Sequence, residues 1–531
     1  MIRSILAVLA LVFATAAHAT WYEATSNNFV VYSQGSEQEA RDFAATLERY
    51  RFVLKSIRPI PQNQPVARLR VFLLLDQAAV GRMAGSSAVA GYYIPSARAL
   101  MLVGTRRARS NLTDVRSASE EGPALDPQDV LFHEYFHHFT FQYFPATYPV
   151  WYSEGSAEFW GTTSIRPGDV VEVGRPANHR YAELRAFGWL PLERLLRAHN
   201  YSEVNGEEIF LIYAEGWLLV RYIFDHPQRQ RQIQEYLRLI NNGVSFEAAE
   251  HQAIPDLDAF NTELYNYAGQ NQLNYVRLPF RTIDVGPITM RTLRPAEQAL
   301  IEDEIRLSQG YAQHEAADFA NHVRDVAGHY PDDPFAIRMV METQYLAGNN
   351  EAALAAADHL LTIEPNNARA LATKGLIQVA GLVGAHNYDA AAWRAARQFL
   401  IRAVNAAPTD PVVLENYYRS FVMQGVLPPD DAQSALYSAM ELAPSDGELR
   451  YEVAHDFEAR RMISDAIAVI RPEAYSVPHR GNESEGDRRR REQREIRERQ
   501  AGSIHHENAL EMLTRLEAEQ ARAHPAPAAA H

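Results

Sequence analysis

Between residues 311 and 478 the chain is punctuated by proline. Pro331, Pro365, Pro408 and Pro444 each follow an apolar helical stretch, at separations of 34, 43 and 36 residues. Proline ends a helix because it has no N–H to donate and its ring collides with the preceding turn. Twelve residues before the last three of these prolines stand Ala353, Ala396 and Ala432, and Ala466 stands twelve before Pro478. Ala403 and Ala439 lie five before theirs. Small residues at these points let paired helices approach closely. The spacing predicts an all-α array of stacked helix pairs, with Gly348 at an inter-helix turn and an insertion near Gly381 to Asp389.

The residues before the array follow other rhythms. Asn28 to Ser33 reads as a strand, Glu37 to Ile57 as a helix, Val66 to Leu75 as a buried strand and Ala99 to Val103 as another. Between them, Gly81 to Gly91 is a loop rich in Gly, Ala and Ser. Residues 20–122 thus form an α/β part, and 123–270 a helical part that ends in the polar run Gly269 to Gln272. A short β-like connector, 271–310, contains Tyr275 to Phe280 and Ile288 to Leu293. The fold expected is α+β, a mixed sheet plus helices, followed by the all-α repeats of 311–478.

With 531 residues, 47% of them hydrophobic, the chain can bury several cores. Its net charge of −15 offers no basic surface, so no nucleic-acid partner is expected. Cysteine is absent, which removes disulfides, thiolate ligands and cysteine nucleophiles. Arg3, the apolar stretch Ile5 to Ala17 and Ala17-His18-Ala19 read as a signal peptide over 1–19, with the mature protein exported to the periplasm or secreted. No later segment is long and apolar enough for stable membrane insertion. Residues 479–531 read as a charged helix or linker around Arg488 to Arg491 and a disordered tail from Pro525.

The chemistry concentrates at His133-Glu134-Tyr135-Phe136-His137. Asp126 and Pro127 form a cap and first-turn pair, and Pro145 closes the segment, so Gln128 to Tyr143 is expected to be a helix. Positions i and i+4 share a helix face with Cβ atoms roughly 5–6 Å apart, so both histidines reach one ion. Glu134 sits at the edge of that face, placed to take a proton from water at the metal. A third ligand from a second helix leaves one coordination position open, as a catalytic zinc site requires. Glu158 stands one turn beyond Glu154, suited to accept the outer N–H of a ligand histidine and fix its tautomer. His138 is rotated off the ligand face and reads as packing or surface.

With Glu154, seventeen residues after His137, the motif resembles the gluzincin metallopeptidases. Trp151-Tyr152-Ser153-Glu154-Gly155-Ser156-Ala157 is similar to the Trp-x-x-Glu-Gly-x-Ala segment of their zinc aminopeptidase branch. Ile212-Tyr213-Ala214-Glu215-Gly216 is similar to that branch's Tyr-Glu-x-Gly stretch, with Ala and Glu directly after the tyrosine. The tighter resemblance is to the bacterial peptidase MA-like proteins, over roughly residues 24 to 270, while 311–478 resembles tetratricopeptide repeats. The resemblance implies a zincin-like catalytic domain, Zn2+ on His133, His137 and Glu154, Glu134 as general base, and Tyr213 as donor to the oxyanion. It also implies a peptide or protein substrate.

One departure narrows the expectation. The amine-binding Gly-x-Met-Glu-Asn segment of the aminopeptidases is missing, and Ala90 to Ile94 contains no acidic residue. The expected activity is therefore not that of an aminopeptidase, and an extended peptide is expected to pair with Ala99 to Val103 as an edge strand. The alternative is a scaffold whose repeats bind a protein partner and whose peptidase-like core is catalytically silent.

Overall fold

The computed structural model describes residues 20–60, 67–87, 89–106, 126–198, 206–270, 273–280, 282–475 and 507–523. The signal-like segment 1–19, Arg488 to Arg491 and the tail from Pro525 lie outside them.

The chain opens with strands β1 (Tyr22–Thr25) and β2 (Phe29–Ser33), then helix α1 (Glu37–Ile57) and strand β3 (Leu69–Leu74). Helix α2 (Gln77–Ala84) and the hairpin β4 (Gly91–Ser96) and β5 (Ala99–Thr105) follow. A six-stranded sheet results, in the order β4-β5-β3-β2-β1-β9, with β9 at Thr289–Thr292. Its centre, β2-β3-β5, is parallel, and β1, β4 and β9 run antiparallel to their neighbours. Ser36 and Glu39 close a capping box on α1, whose Ala40, Ala44, Leu47 and Leu54 are buried at helical spacing.

Two expectations are corrected here. Ala99 to Val103 is not an edge strand: β5 is paired on both sides, by β3 and β4, and β4 ends the sheet. The loop expected over Gly81 to Gly91 begins inside α2 and ends in β4. Asp76 caps α2 by accepting from the Ala79 N–H, and Gly85 at φ +73° stops it in the left-handed region that glycine tolerates.

Next come α3 (Pro127–Tyr143) and α4 (Val150–Gly161), the strands β6 (Ser164–Arg166) and β7 (Val170–Val173), and helices α5 (Asn178–Phe187) and α6 (Leu192–Arg197). Helices α7 (Gly206–Asp225), α8 (Pro227–Asn241), α9 (Phe246–Ala253) and α10 (Leu257–Ala268) complete this part. The two strands expected in the connector join different sheets: β8 (Val276–Pro279) pairs with β7, and β9 pairs with β1.

Helices α11 (Pro295–Gln309) and α12 (Ala316–Ala327) lead into four helix pairs. These are α13 (Pro334–Leu346) with α14 (Asn350–Ile363), α15 (Ala368–Gly384) with α16 (Ala390–Ala406), α17 (Pro411–Val422) with α18 (Asp430–Leu442), and α19 (Gly447–Ala459) with α20 (Ile463–Ala474). A further helix, α21 (Ala509–Ala523), packs on α20. Ala353, Ala396, Ala432 and Ala466 are all buried, as are Ala403 and Ala439. The long spacing between Pro365 and Pro408 comes from the length of α15 and α16, 17 residues each, together with the turn that joins them. The α+β part and the array share one apolar core, which runs from Phe132 and Trp151 to Leu371 and Val453. An α+β unit is thus followed by, and packed against, an all-α one. Among the described residues no helix is long and apolar enough to cross a membrane.

Candidate metal centre

The helix carrying the histidines is fixed first at its start. The Asp126 side chain accepts from the Gln128 N–H, and Pro127 occupies the first turn, where its missing N–H costs nothing. Packing then sets its rotation. Leu131, Phe132, Tyr135, Phe136 and Phe139 are buried, and Phe132 stacks on Tyr50 of α1 with ring centroids 3.8 Å apart.

Helix α4 is held by a close crossing with α7. A Cβ on Gly155 would overlap the carbonyl group of Gly216, and one on Gly216 would stand 2.5 Å from the Trp151 carbonyl oxygen. Two glycines therefore let the backbones touch, and the residues beside and near them, Glu154 on α4 and Tyr213 on α7, come to the same site. Gly161, at the end of α4, leaves room for His133: a Cβ there would be 3.3 Å from that of the histidine.

His133, His137 and Glu154 converge. The two Nε2 atoms are 3.1 Å apart, and Glu154 Oε2 lies 3.3 Å from His133 Nε2 and 3.4 Å from His137 Nε2. A tetrahedral zinc site with bonds of about 2.0–2.1 Å has ligand atoms about 3.3 Å apart. The three donors thus have the separations of a tetrahedral face and can hold a metal ion. Glu134 is buried beside them, and its Oε2 has no hydrogen-bond partner among the described residues. A buried, unpartnered carboxylate oxygen is costly unless it serves something at the site.

Glu158 supports a ligand from outside. Its Oε1 lies 3.2 Å from His133 Nδ1, which directs the His133 Nε2 lone pair inward. The same carboxylate receives Arg180 Nη2 at 2.5 Å and His179 Nε2 at 3.1 Å. Burial by itself would raise the Glu158 pKa, but the Arg180 charge and the bonds from His133 and His179 hold it well below the usual range. For His133, burial opposes the charged form, yet Glu154 and Glu158 outweigh it and push the pKa up to about 10. The carboxylates crowded around His133 thus call for a cation, supplied by a proton when no metal is there.

Tyr213 lies parallel to the His133 ring, with centroids 6.5 Å apart, and the Arg180 guanidinium sits 4.8 Å from its ring centroid. His138 is buried, and its Nδ1 lies 3.1 Å from the Tyr93 hydroxyl on β4. Sequence reasoning missed Arg180 and His179, which belong to no local motif and reach Glu158 from α5. It also missed Tyr93, whose partner Ser445 lies 352 residues away. The acidic residue absent from Ala90 to Ile94 is absent from β4 as a whole, and β4 borders the site: a Cβ on Gly91 would stand 3.7 Å from Glu134 Cγ.

Comparison with protein families and with curated proteins finds no match to this chain. The geometry of the site therefore carries the functional argument.

Proposed function

We propose that the chain is an exported zinc-dependent peptidase with a zincin-like catalytic unit of the gluzincin type, similar to the bacterial peptidase MA-like proteins. The observation that supports this most is the meeting of three donors at tetrahedral separations with a buried, unpartnered carboxylate beside them. His133, His137 and Glu154 would hold the zinc, which when bound supplies a Lewis acid and acidifies water. Glu134 takes the proton from the attacking water and passes it to the leaving amine. Tyr213 donates a hydrogen bond to the peptide oxygen as its charge develops. Glu158, held by Arg180 and His179, keeps His133 in the tautomer that presents Nε2.

The outer edge of β4 is the surface on which an extended peptide would add as a strand beside Glu134. No acidic residue in β4 is available to bind a free amine, which favours internal peptide bonds over N-terminal ones. The test is Glu134→Gln, which preserves shape and removes the base. It should retain zinc and lower kcat/KM on peptide substrates by about 10²–10⁴-fold. Equal cleavage by the variant and the wild type would leave the helical array as the functional part and the core as scaffold.

A further inference from the structure

Strand β4 connects two places. It starts at Gly91, against Glu134, and ends at Ser96, which with Ala97 and Arg98 lines a cleft whose other walls are Tyr311 and Gln313 after α11, then α13, α15, α17 and the start of α19. The five residue steps from Gly91 to Ser96 cover about 17 Å. Hydrogen bonds from the array fix this distance. The Ala97 N–H donates to Asp446 Oδ2 at 2.6 Å, and the Tyr93 hydroxyl lies 3.1 Å from Ser445 Oγ. Tyr93 also meets His138, next to the ligand His137, so one chain of contacts ties the array to the metal helix.

The cleft has a definite chemistry. Seven charged residues line it: Arg369 pairs with Asp410, Arg419 with Glu415 and Glu452, and Glu342 with Arg338, Asp446 accepts from the Ala97 N–H, and Arg98 and Glu448 complete the set. Leu376, Val412 and Met423 supply apolar wall. Between them, the Asn416 amide and the Thr373 hydroxyl have no hydrogen-bond partner among the described residues. Neutral donors and acceptors beside an apolar wall match the main chain of an extended polypeptide.

We propose that this cleft is a second substrate-binding site, in which a polypeptide paired along β4 at the scissile bond continues past Ser96 and is held through its main chain by Asn416 and Thr373. It rests on the peptidase reading and deepens it. The substrate class becomes unfolded polypeptides that extend at least about five residues to one side of the cleaved bond.

The test compares casein fragments of about four and about twelve residues, nested around one cleavage point, on the zinc-loaded protein and its Thr373→Val/Asn416→Ala variant. Neither side chain has an internal partner, so the double substitution removes no hydrogen bond from the described fold. The wild type should cleave the long fragment with kcat/KM at least about tenfold above the short one, and the ratio should fall to near one in the variant. Equal ratios in both proteins, or no preference for length, would overturn the proposal. If neither fragment is cleaved, the peptidase reading fails, and anisotropy of the labelled long fragment on Glu134→Gln protein decides the matter. Binding weakened about tenfold by the double substitution supports the cleft, and unchanged binding overturns it. Self-association abolished by the double substitution, with peptide length irrelevant, would assign the cleft to a second copy of the chain and overturn it too.

Discussion

Helices α4 and α14 both rely on small residues for close packing, yet they tolerate change differently. On α14 only Ala353, Ala357 and Leu360 are fully buried, between α13 and α15, and most of the other residues of the helix are exposed. On α4, Val150, Trp151 and every residue from Glu154 to Gly161 are buried, and Gly155 meets the backbone of α7 with no side chain between. The array stacks side chain on side chain, which can shift by a few tenths of an ångström. The candidate metal site stacks backbone on backbone, which cannot. Positional precision is thus concentrated where ligand atoms must meet within about 3.3 Å.

That contrast can be broken most directly with paired substitutions. Gly155→Ala drives a methyl group into the Gly216 carbonyl and should cost about 3 kcal/mol of stability in denaturant unfolding, with metal affinity reduced as Glu154 is displaced. Ala353→Gly, in the array, should cost about 1 kcal/mol and leave metal affinity as it was. Equal losses of affinity would show that the two seams do not differ.

A smaller effect is expected from the support of the site. Glu158→Gln keeps the shape but loses the charge that Arg180, His179 and His133 share, and zinc affinity should weaken about 10–100-fold with little change in fold. Affinity unchanged in a competition titration would make Glu158 a packing partner of Arg180 and His179 with no bearing on metal binding.

The smallest effect is one of pH. His133 has a folded pKa of about 10, above its ordinary 6.5, so its contribution is complete below pH 6.5 and lost as pH rises toward 10. Thermal unfolding of the metal-free protein should therefore drop by a few degrees over that window. The drop should be absent from the metal-loaded protein, where the ion replaces the proton, and from metal-free His133→Gln. A metal-free protein that gains stability over the same window would contradict the electrostatic account.

What could be read from the chain follows the same division. The start and end of α1, the caps of α3 and the buried alanines of the array are local in origin, and capping residues and helical spacing reveal them. Glu158 was legible as a partner for His133 or His137 because it lies one turn beyond Glu154, and His133 is the one it meets. Strand β4 was not legible, since Gly91-Tyr92-Tyr93-Ile94-Pro95-Ser96 contains a proline and lacks strict alternation. Pro95 fits there because β4 ends the sheet, where a missing N–H need break no ladder bond. Taking β5 for the edge followed from missing the Ala97-Arg98 turn that folds β4 against it. Arg180, His179 and the Tyr93–Ser445 contact depend on tertiary approach, and no spacing in the sequence announces them.

The central claim is that His133, His137 and Glu154 form one zinc site, and metal content measures it most directly. Protein equilibrated with zinc and freed of excess should contain about one ion per chain, and His137→Ala should contain none while remaining folded. Wild-type protein that takes up no zinc, or a His137→Ala variant that retains it in full, would contradict the account.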